Sequence, residues 1–149
     1  GNGLPIGVCM ARGEAAQLLG PGDHGSTYGG NPLCCAAAIA VLTTLRDDTV
    51  MQRARSVREV LLAALHQAIT DPDLITEVRG SGLMIGIQPR VATKEIVQRG
   101  LESGLLINVA GGGTIRVLPP LVMTDEQAGE LGAGIANIIN DIAEQENAL

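Results

Sequence analysis

The sequence contains no tryptophan and no phenylalanine, and Tyr28 is the single aromatic residue among its 149 residues. The hydrophobic core must therefore consist of aliphatic side chains, which contribute roughly 1.5–3 kcal/mol each when they are large and fully buried. Hydrophobic residues make up 46% of the chain, which is typical of a folded domain and not of a disordered one. The composition does not decide whether Tyr28 is an ordinary packing residue or has a functional role.

Positive charge is also scarce, because 10 Lys and Arg residues are set against 16 Asp and Glu residues, for a net charge of -6. A nucleic acid requires a basic protein surface, so this class of partner is excluded. Cys9, Cys34 and Cys35 show neither a disulfide framework nor metal-ligand spacing, and we expect reduced, buried thiols in a cytoplasmic protein without a metal site. No apolar run is long enough to span a membrane and no secretory leader is visible, so we expect no membrane association.

Residues 1–47 are predicted to form the edge of a larger α/β domain. The apolar run Leu4–Ala11 favours a strand buried on both faces, and a short helix is predicted over 14–19. The glycine-rich segment His24–Pro32 must be a loop, and Asn31 is a good N-cap for the helix that follows. That helix, predicted over 33–45, is apolar on every side, which is typical of a helix buried in a larger body.

Residues 48–149 are predicted to form a small α+β domain. Its elements alternate in kind, in the order helix 50–70, strands 74–79 and 83–88, helix 92–103, hairpin strands 105–110 and 114–118, and a last helix after a capping box at 124–127. Helical spacing assigns Met51 to the buried stripe of the first of these helices and Val97 and Leu101 to that of the second.

The loop His24–Pro32 reads HGSTYGGNP and is the first candidate for chemistry. Consecutive small residues expose backbone N–H groups, and the hydroxyls of Ser26 and Thr27 add donors, so the loop could hold a phosphate. It lacks the G-K-[ST] ending of a Walker loop. Composition alone therefore favours a tight turn that ends in a helix cap over a phosphate site.

The exact sequences of four segments are more informative than their composition. HGSTYGGNPL, at 24–33, resembles a loop of the class III aminotransferases of fold type I, and GNGLPIG, at 1–7, resembles the segment that follows their catalytic lysine. RGSGLMIGI, at 79–87, and GLLINVAGGGTIRVLPPLVMT, at 104–124, resemble their small-domain strand and C-terminal hairpin. The four segments occur in the family's order, so the resemblance implies the C-terminal part of a fold type I, pyridoxal-phosphate-dependent transferase.

The resemblance also implies roles for three residues. Thr27 corresponds to the threonine that binds the cofactor phosphate of the neighbouring subunit in a homodimer. Ser26 lies where such enzymes contact substrate, and Arg116 corresponds to the arginine that binds the substrate's α-carboxylate, a role that suits a planar guanidinium. The residue types alone leave simpler alternatives open, namely that Thr27 only caps the helix and that Arg116 is a surface residue of a strand.

The resemblance implies as well that the lysine which bonds to the cofactor lies just before Gly1, so the chain is expected to begin at an internal position of a longer protein. Transamination requires that lysine. The chain has one lysine, Lys94, on a predicted amphipathic helix where a solvated side chain is expected. The family's acidic partner of the pyridine nitrogen and its stacking aromatic are absent too. No catalytic residue is therefore assigned, and the chain alone is expected to be inactive.

The strongest resemblance is to the acetylornithine branch of the family. It implies an enzyme of arginine biosynthesis that transfers an amino group from N-acetylornithine to 2-oxoglutarate, giving glutamate, and that also accepts succinyldiaminopimelate. Ornithine and 4-aminobutyrate aminotransferases are the alternatives within the family. Outside it, a non-catalytic module for ligand binding or dimerisation stays open.

Overall fold

The computed structural model describes residues 2–148 and separates the chain into two compact units, Gly1–Asp48 and Thr49–Leu149. The first unit contains a short 3-10 helix, Gly13–Gln17, and one α-helix, α1, Pro32–Leu45. The 3-10 helix replaces the predicted helix over 14–19. Within residues 2–148, no helix is both long enough and apolar enough to cross a lipid bilayer.

The start of α1 agrees with the sequence prediction. The side-chain oxygen of Asn31 accepts a hydrogen bond of 2.9 Å from the backbone N–H of Cys34, and Pro32 occupies the first helical position. Proline has no N–H to leave unpaired there, and its fixed φ angle suits a helix. The predicted N-cap and helix start are therefore confirmed.

The predicted strand over Leu4–Ala11 was wrong. This segment has no regular secondary structure, and Val8 and Met10 are 79% and 90% exposed. A strand needs a second strand to complete its hydrogen bonds, and residues 2–48, as far as they are described, contain none. The prediction that all three thiols are buried was also wrong, since Cys9 is exposed, although Cys34 is buried.

The burial predicted for the first helix is not found either. In α1 only Cys34 is buried, and large apolar side chains such as Leu33, Ile39 and Leu42 are exposed. The segment 6–8 lies along one side of α1, where it shares an apolar groove with Val41 and Leu45. One neighbouring segment cannot enclose a helix on every side, which is why its other faces stay open within this unit.

The described residues of the second unit form an antiparallel sheet and three α-helices. Its elements are α2 (Asp48–Ala68), β1 (Ile75–Arg79), β2 (Ile85–Pro89), α3 (Ile96–Glu102), β3 (Asn108–Ala110), β4 (Thr114–Val117) and α4 (Asp125–Asn147). The strand order is β1-β2-β4-β3, with every neighbouring pair antiparallel. The predicted hairpin of β3 and β4 is confirmed, and the positive φ of Gly112 (77°) allows its tight turn.

One hydrophobic core holds this unit together. Side chains alternate between the two faces of a strand, so the residues at every second position of β2 and β4 enter the core. The core joins strand and helix residues: Ile85, Ile87, Ile115 and Val117 from the sheet, Val57, Leu61 and Leu65 from α2, and Ile135, Ile139 and Ile142 from α4. The aliphatic composition predicted for the core is confirmed.

The helices of this unit differ from prediction mainly in length. α3 begins at Ile96 instead of residue 92 and spans seven residues. Such a short helix buries only Ile96 and Gly100, so Val97 and Leu101 are exposed and their predicted burial was wrong. Met51 is exposed as well, because it lies in the first turn of α2, ahead of the first buried residue. The predicted capping box at the start of α4 is present.

Candidate functional site

The loop that contains Ser26 and Thr27 folds into a tight turn in the first unit. The backbone N–H of Gly29 donates to the carbonyl oxygen of Ser26 over 3.2 Å, and the side chain of Asn31 donates to the carbonyl oxygen of Tyr28 over 3.0 Å. A Cβ atom on Gly29 would lie 2.9 Å from the Ser26 hydroxyl, so only glycine fits there without a shift. The turn therefore depends on the small residues that the sequence supplies.

Ser26 and Thr27 occupy different positions in this turn. Ser26 lines a cavity of about 340 Å³ together with residues 5–7 and residues 28–31. Thr27 is not part of that lining; it is exposed, and its hydroxyl makes no hydrogen bond with any described residue of the chain. Since Asn31 caps α1, Thr27 has no capping role. Its hydroxyl is thus available to an external acceptor.

Arg116 lies in the second unit, in β4, on the face of the sheet opposite the core. Its backbone partner in β2 is Gly86 and its partner in β3 is Asn108. Its chain neighbours Ile115 and Val117 are buried, whereas Arg116 is exposed, as alternation along a strand requires. Register therefore directs Arg116 to the polar face of the sheet.

A hydrogen-bonded network occupies the part of this face beside Arg116. The Arg79 guanidinium contacts the Glu77 carboxylate at 2.5 Å and donates to the Thr114 hydroxyl over 2.8 Å. That hydroxyl, in a residue only 5% exposed, donates in turn to the side-chain oxygen of Gln88 over 2.7 Å. The charge of Arg79 is therefore balanced within the protein, and the Thr114 hydroxyl both accepts and donates a hydrogen bond.

The side chain of Arg116, in contrast, makes neither an ion pair nor a hydrogen bond with any described residue. It lines a cavity of about 270 Å³ with Arg79, Thr114, Gly86 and Gly111. A guanidinium presents its N–H groups as a planar fork that matches the two oxygens of a carboxylate. The unpaired guanidinium of Arg116 therefore makes this cavity suitable for binding a carboxylate.

Sequence reasoning missed the residues around Arg116. Strand pairing brings Gly86, Gln88 and Thr114 to the same face of the sheet. Alternation within each strand was the only sequence signal that could have pointed to them.

Lys94 is exposed, just ahead of α3. Residues 2–148 contain no group of three or more His, Cys, Asp or Glu side chains placed to hold a metal ion.

Comparison with protein families gives one clear match. The family model described as Aminotransferase class-III matches residues 1–139. The acetylornithine aminotransferase of Methanothermobacter thermautotrophicus is 39% identical over 142 residues, which cover 95% of this chain and 36% of that protein. The acetylornithine aminotransferase of Mycobacterium tuberculosis is 43% identical over 143 residues, covering 94% of this chain and 35% of that protein. The chain thus spans about a third of the length of these relatives.

Solved structures of aminotransferases are also similar to this chain. The ornithine aminotransferase of Toxoplasma gondii superposes with a TM-score of 0.76 at 32% identity, covering 91% of this chain and 33% of that one. The acetylornithine aminotransferase of Elizabethkingia anophelis superposes with a TM-score of 0.70 at 35% identity, covering 85% and 33%. Both similarities extend over most of the 149 residues.

Proposed function

Because the chain belongs to the class III aminotransferases, we propose that it forms the C-terminal part of an acetylornithine aminotransferase that acts with 2-oxoglutarate. The predicted fold class, an α/β chain of fold type I, is confirmed, and enzymes of this family use pyridoxal phosphate. The observation that carries the proposal is the unpaired guanidinium of Arg116 above its cavity. The names of the curated relatives support the choice of N-acetylornithine as the amino donor.

Arg116 binds the α-carboxylate of the substrate in this proposal. Its neighbour Arg79 is paired with Glu77, so it does not compete for the same acid group. Hydrogen bonds between charged groups are roughly twice as strong as those between neutral groups. A guanidinium that is held on a strand and left without a partner is therefore suited to bind the substrate by its carboxylate.

In this proposal Thr27 binds the cofactor and Ser26 contacts the substrate. The free hydroxyl of Thr27, on a loop of glycines and small residues, suits a phosphate oxygen, and this donor set fits the phosphate of pyridoxal phosphate. Thr27 serves the active site of the neighbouring subunit in a homodimer, and Ser26 contacts substrate. When bound, pyridoxal phosphate supplies the electron sink for the transfer of the amino group.

The reactive lysine lies outside these 149 residues in our proposal. Lys94 is exposed and stands between Thr93 and Glu95 just before a short helix, away from the cavity of Arg116. The chain alone is accordingly inactive as a transaminase, and the complete enzyme acts in the cytoplasm, in arginine biosynthesis, with succinyldiaminopimelate as a further substrate.

Ornithine aminotransferase is a second candidate, because the Toxoplasma enzyme of that name has a TM-score of 0.76. Both candidates place an amino acid carboxylate on Arg116, so the Arg116 proposal is common to them. N-Acetylornithine carries an acetyl group on the α-amino nitrogen, beside the carboxylate, and ornithine does not, whereas the terminal amino group is the same in both. The ratio of transamination rates with the two donors, measured on the complete enzyme, distinguishes the candidates.

The Arg116 proposal can be tested on the purified chain by nuclear magnetic resonance titration with 2-oxoglutarate. Arg116→Gln removes the fork, and we expect the affinity to fall about tenfold or more, as for the loss of a charged hydrogen bond. Arg55→Gln is the matched control, because Arg55 is exposed in α2 and does not line the cavity. Equal affinities in the two variants would contradict the proposal.

A further inference from the structure

Gly86 lies directly between two arginines on the polar face of the sheet. Its antiparallel partner in β1 is Arg79 and its partner in β4 is Arg116. Side chains of directly opposed residues stand roughly 5 Å apart on the same face of a sheet. Because Gly86 has no side chain, a gap bounded by the side chains of Thr114 and Arg79 lies above it, and Gly86 forms part of the wall of the 270 Å³ cavity.

A methyl group in this gap would make close contacts with Thr114 on one side and with Arg79 on the other. A Cβ atom on Gly86 would lie 3.2 Å from the methyl carbon of Thr114 and 3.4 Å from Cγ of Arg79. Thr114 has little room to withdraw, since it is buried and bonds to both Arg79 and Gln88, and Arg79 is held in turn by Thr114 and by its ion pair with Glu77. The network therefore fixes the size of the gap.

Gly111 provides a contrast within the same cavity. It is another lining residue, yet a Cβ atom there would meet nothing within 4 Å, and its backbone does not have a positive φ angle. A methyl group at 111 would thus extend into open space, whereas one at 86 would fill the gap between Thr114 and Arg79. Gly111→Ala is therefore a matched control for Gly86→Ala.

We propose that Gly86 determines which carboxylic acids Arg116 can accept, by leaving room for the substituted carbon next to the carboxylate. This inference rests on the proposed function of Arg116 and adds a specificity residue to it. Formate has only the carboxylate and needs no gap, whereas 2-oxobutanoate carries an oxo group and a carbon chain on that carbon. Both acids have the same charge, so the change that Gly86→Ala makes in the ratio of their affinities reports on the space beside the carboxylate.

The test is a titration of the 149-residue chain with formate and with 2-oxobutanoate, followed by nuclear magnetic resonance. We expect Gly86→Ala to weaken binding of 2-oxobutanoate about fivefold or more and that of formate by less than about twofold. Gly111→Ala should leave both affinities within about twofold of the wild type. Amide spectra check that each variant keeps the fold.

The outcomes separate the two proposals. If Arg116→Gln left the affinity for both acids unchanged, the role of Arg116 would fail, whatever Gly86→Ala did. If Arg116→Gln abolished binding while Gly86→Ala bound both acids like the wild type, the Gly86 inference alone would fail. Restoration of 2-oxobutanoate binding in Gly86→Ala/Thr114→Ser would also overturn it, because the loss would then come from displacement of Thr114.

A comparison on the unmodified chain keeps the inference testable if Gly86→Ala does not fold. The probes are propanoate and 2,2-dimethylpropanoate, which have the same charge and differ only in the substitution of the carbon next to the carboxylate. The bulkier acid should bind about fivefold more weakly or worse, since the Thr114 and Arg79 network limits the gap. Equal affinity for the two acids would contradict the inference.

Discussion

Gly132 of α4 faces the main chain of α2 so closely that a Cβ atom on it would lie 2.2 Å from the carbonyl oxygen of Leu61. Backbone atoms of a helix cannot move aside as the end of a side chain can. The two helices therefore come together only because residue 132 is glycine. Since α2 and α4 both contribute to the core beneath the sheet, this contact supports the strands that carry Arg116.

Gly132→Ala should therefore destabilise the protein. We expect the free energy of unfolding to fall by about 1–3 kcal/mol, the usual cost of overpacking. Gly129→Ala is the control, because a Cβ atom at this position of the same helix meets nothing within 4 Å. That variant should be as stable as the wild type or more stable by up to about 1 kcal/mol, from helix propensity. Urea unfolding measures both, and a Gly132→Ala variant as stable as Gly129→Ala would contradict the prediction.

Asn140 should be a second determinant of stability. It is buried in α4, where its side-chain N–H donates to the carbonyl oxygen of Ala68 over 2.9 Å and its oxygen accepts from the backbone N–H of Thr70 over 3.1 Å. Asn140→Ala leaves these backbone groups unpaired, at a cost of about 1–3 kcal/mol. Asn137→Ala, on the exposed side of the same helix, should change the unfolding free energy by less than about 0.5 kcal/mol. Equal effects of the two variants in urea unfolding would contradict this role.

The phosphate role proposed for Thr27 predicts a loss of cofactor affinity in the complete enzyme. Thr27→Val keeps the shape of the side chain and removes its hydroxyl, so we expect pyridoxal phosphate to bind about tenfold more weakly. Thr43→Val is the control, since the Thr43 hydroxyl bonds to the carbonyl oxygen of Ile39 within α1. Absorbance of the bound cofactor during dialysis measures the affinities. If both variants retained the cofactor equally, Thr27 would have no such role.

Local signals in the sequence predicted much of the fold. Asn31 and Pro32 fixed the start of α1, and the capping box at Thr124 and Gln127 fixed that of α4, because capping depends on residues within one turn. The hairpin of β3 and β4 was predictable for the same reason. Leu4–Ala11 was not, since an apolar run forms a strand only where a partner strand lies beside it.

The candidate site was predictable only in part. Ser26, Thr27 and Arg116 came from the resemblance of whole segments and not from spacing, and their roles remain predictions. The surroundings of Arg116 could not be predicted, because the register that places Gly86 between Arg79 and Arg116 joins residues far apart in the chain. Side-chain pairs such as Thr114 with Gln88 follow from that register.

The central claim is that this chain supplies residues that bind substrate and cofactor but not the lysine that reacts. The most direct test adds pyridoxal phosphate to the purified chain, reduces the mixture with borohydride and locates any modified lysine by mass spectrometry. We predict no saturable, stoichiometric adduct on Lys94, the single lysine of the sequence. A stoichiometric and saturable adduct on Lys94 would contradict the account, and the roles proposed for Thr27 and Arg116 would have to be abandoned.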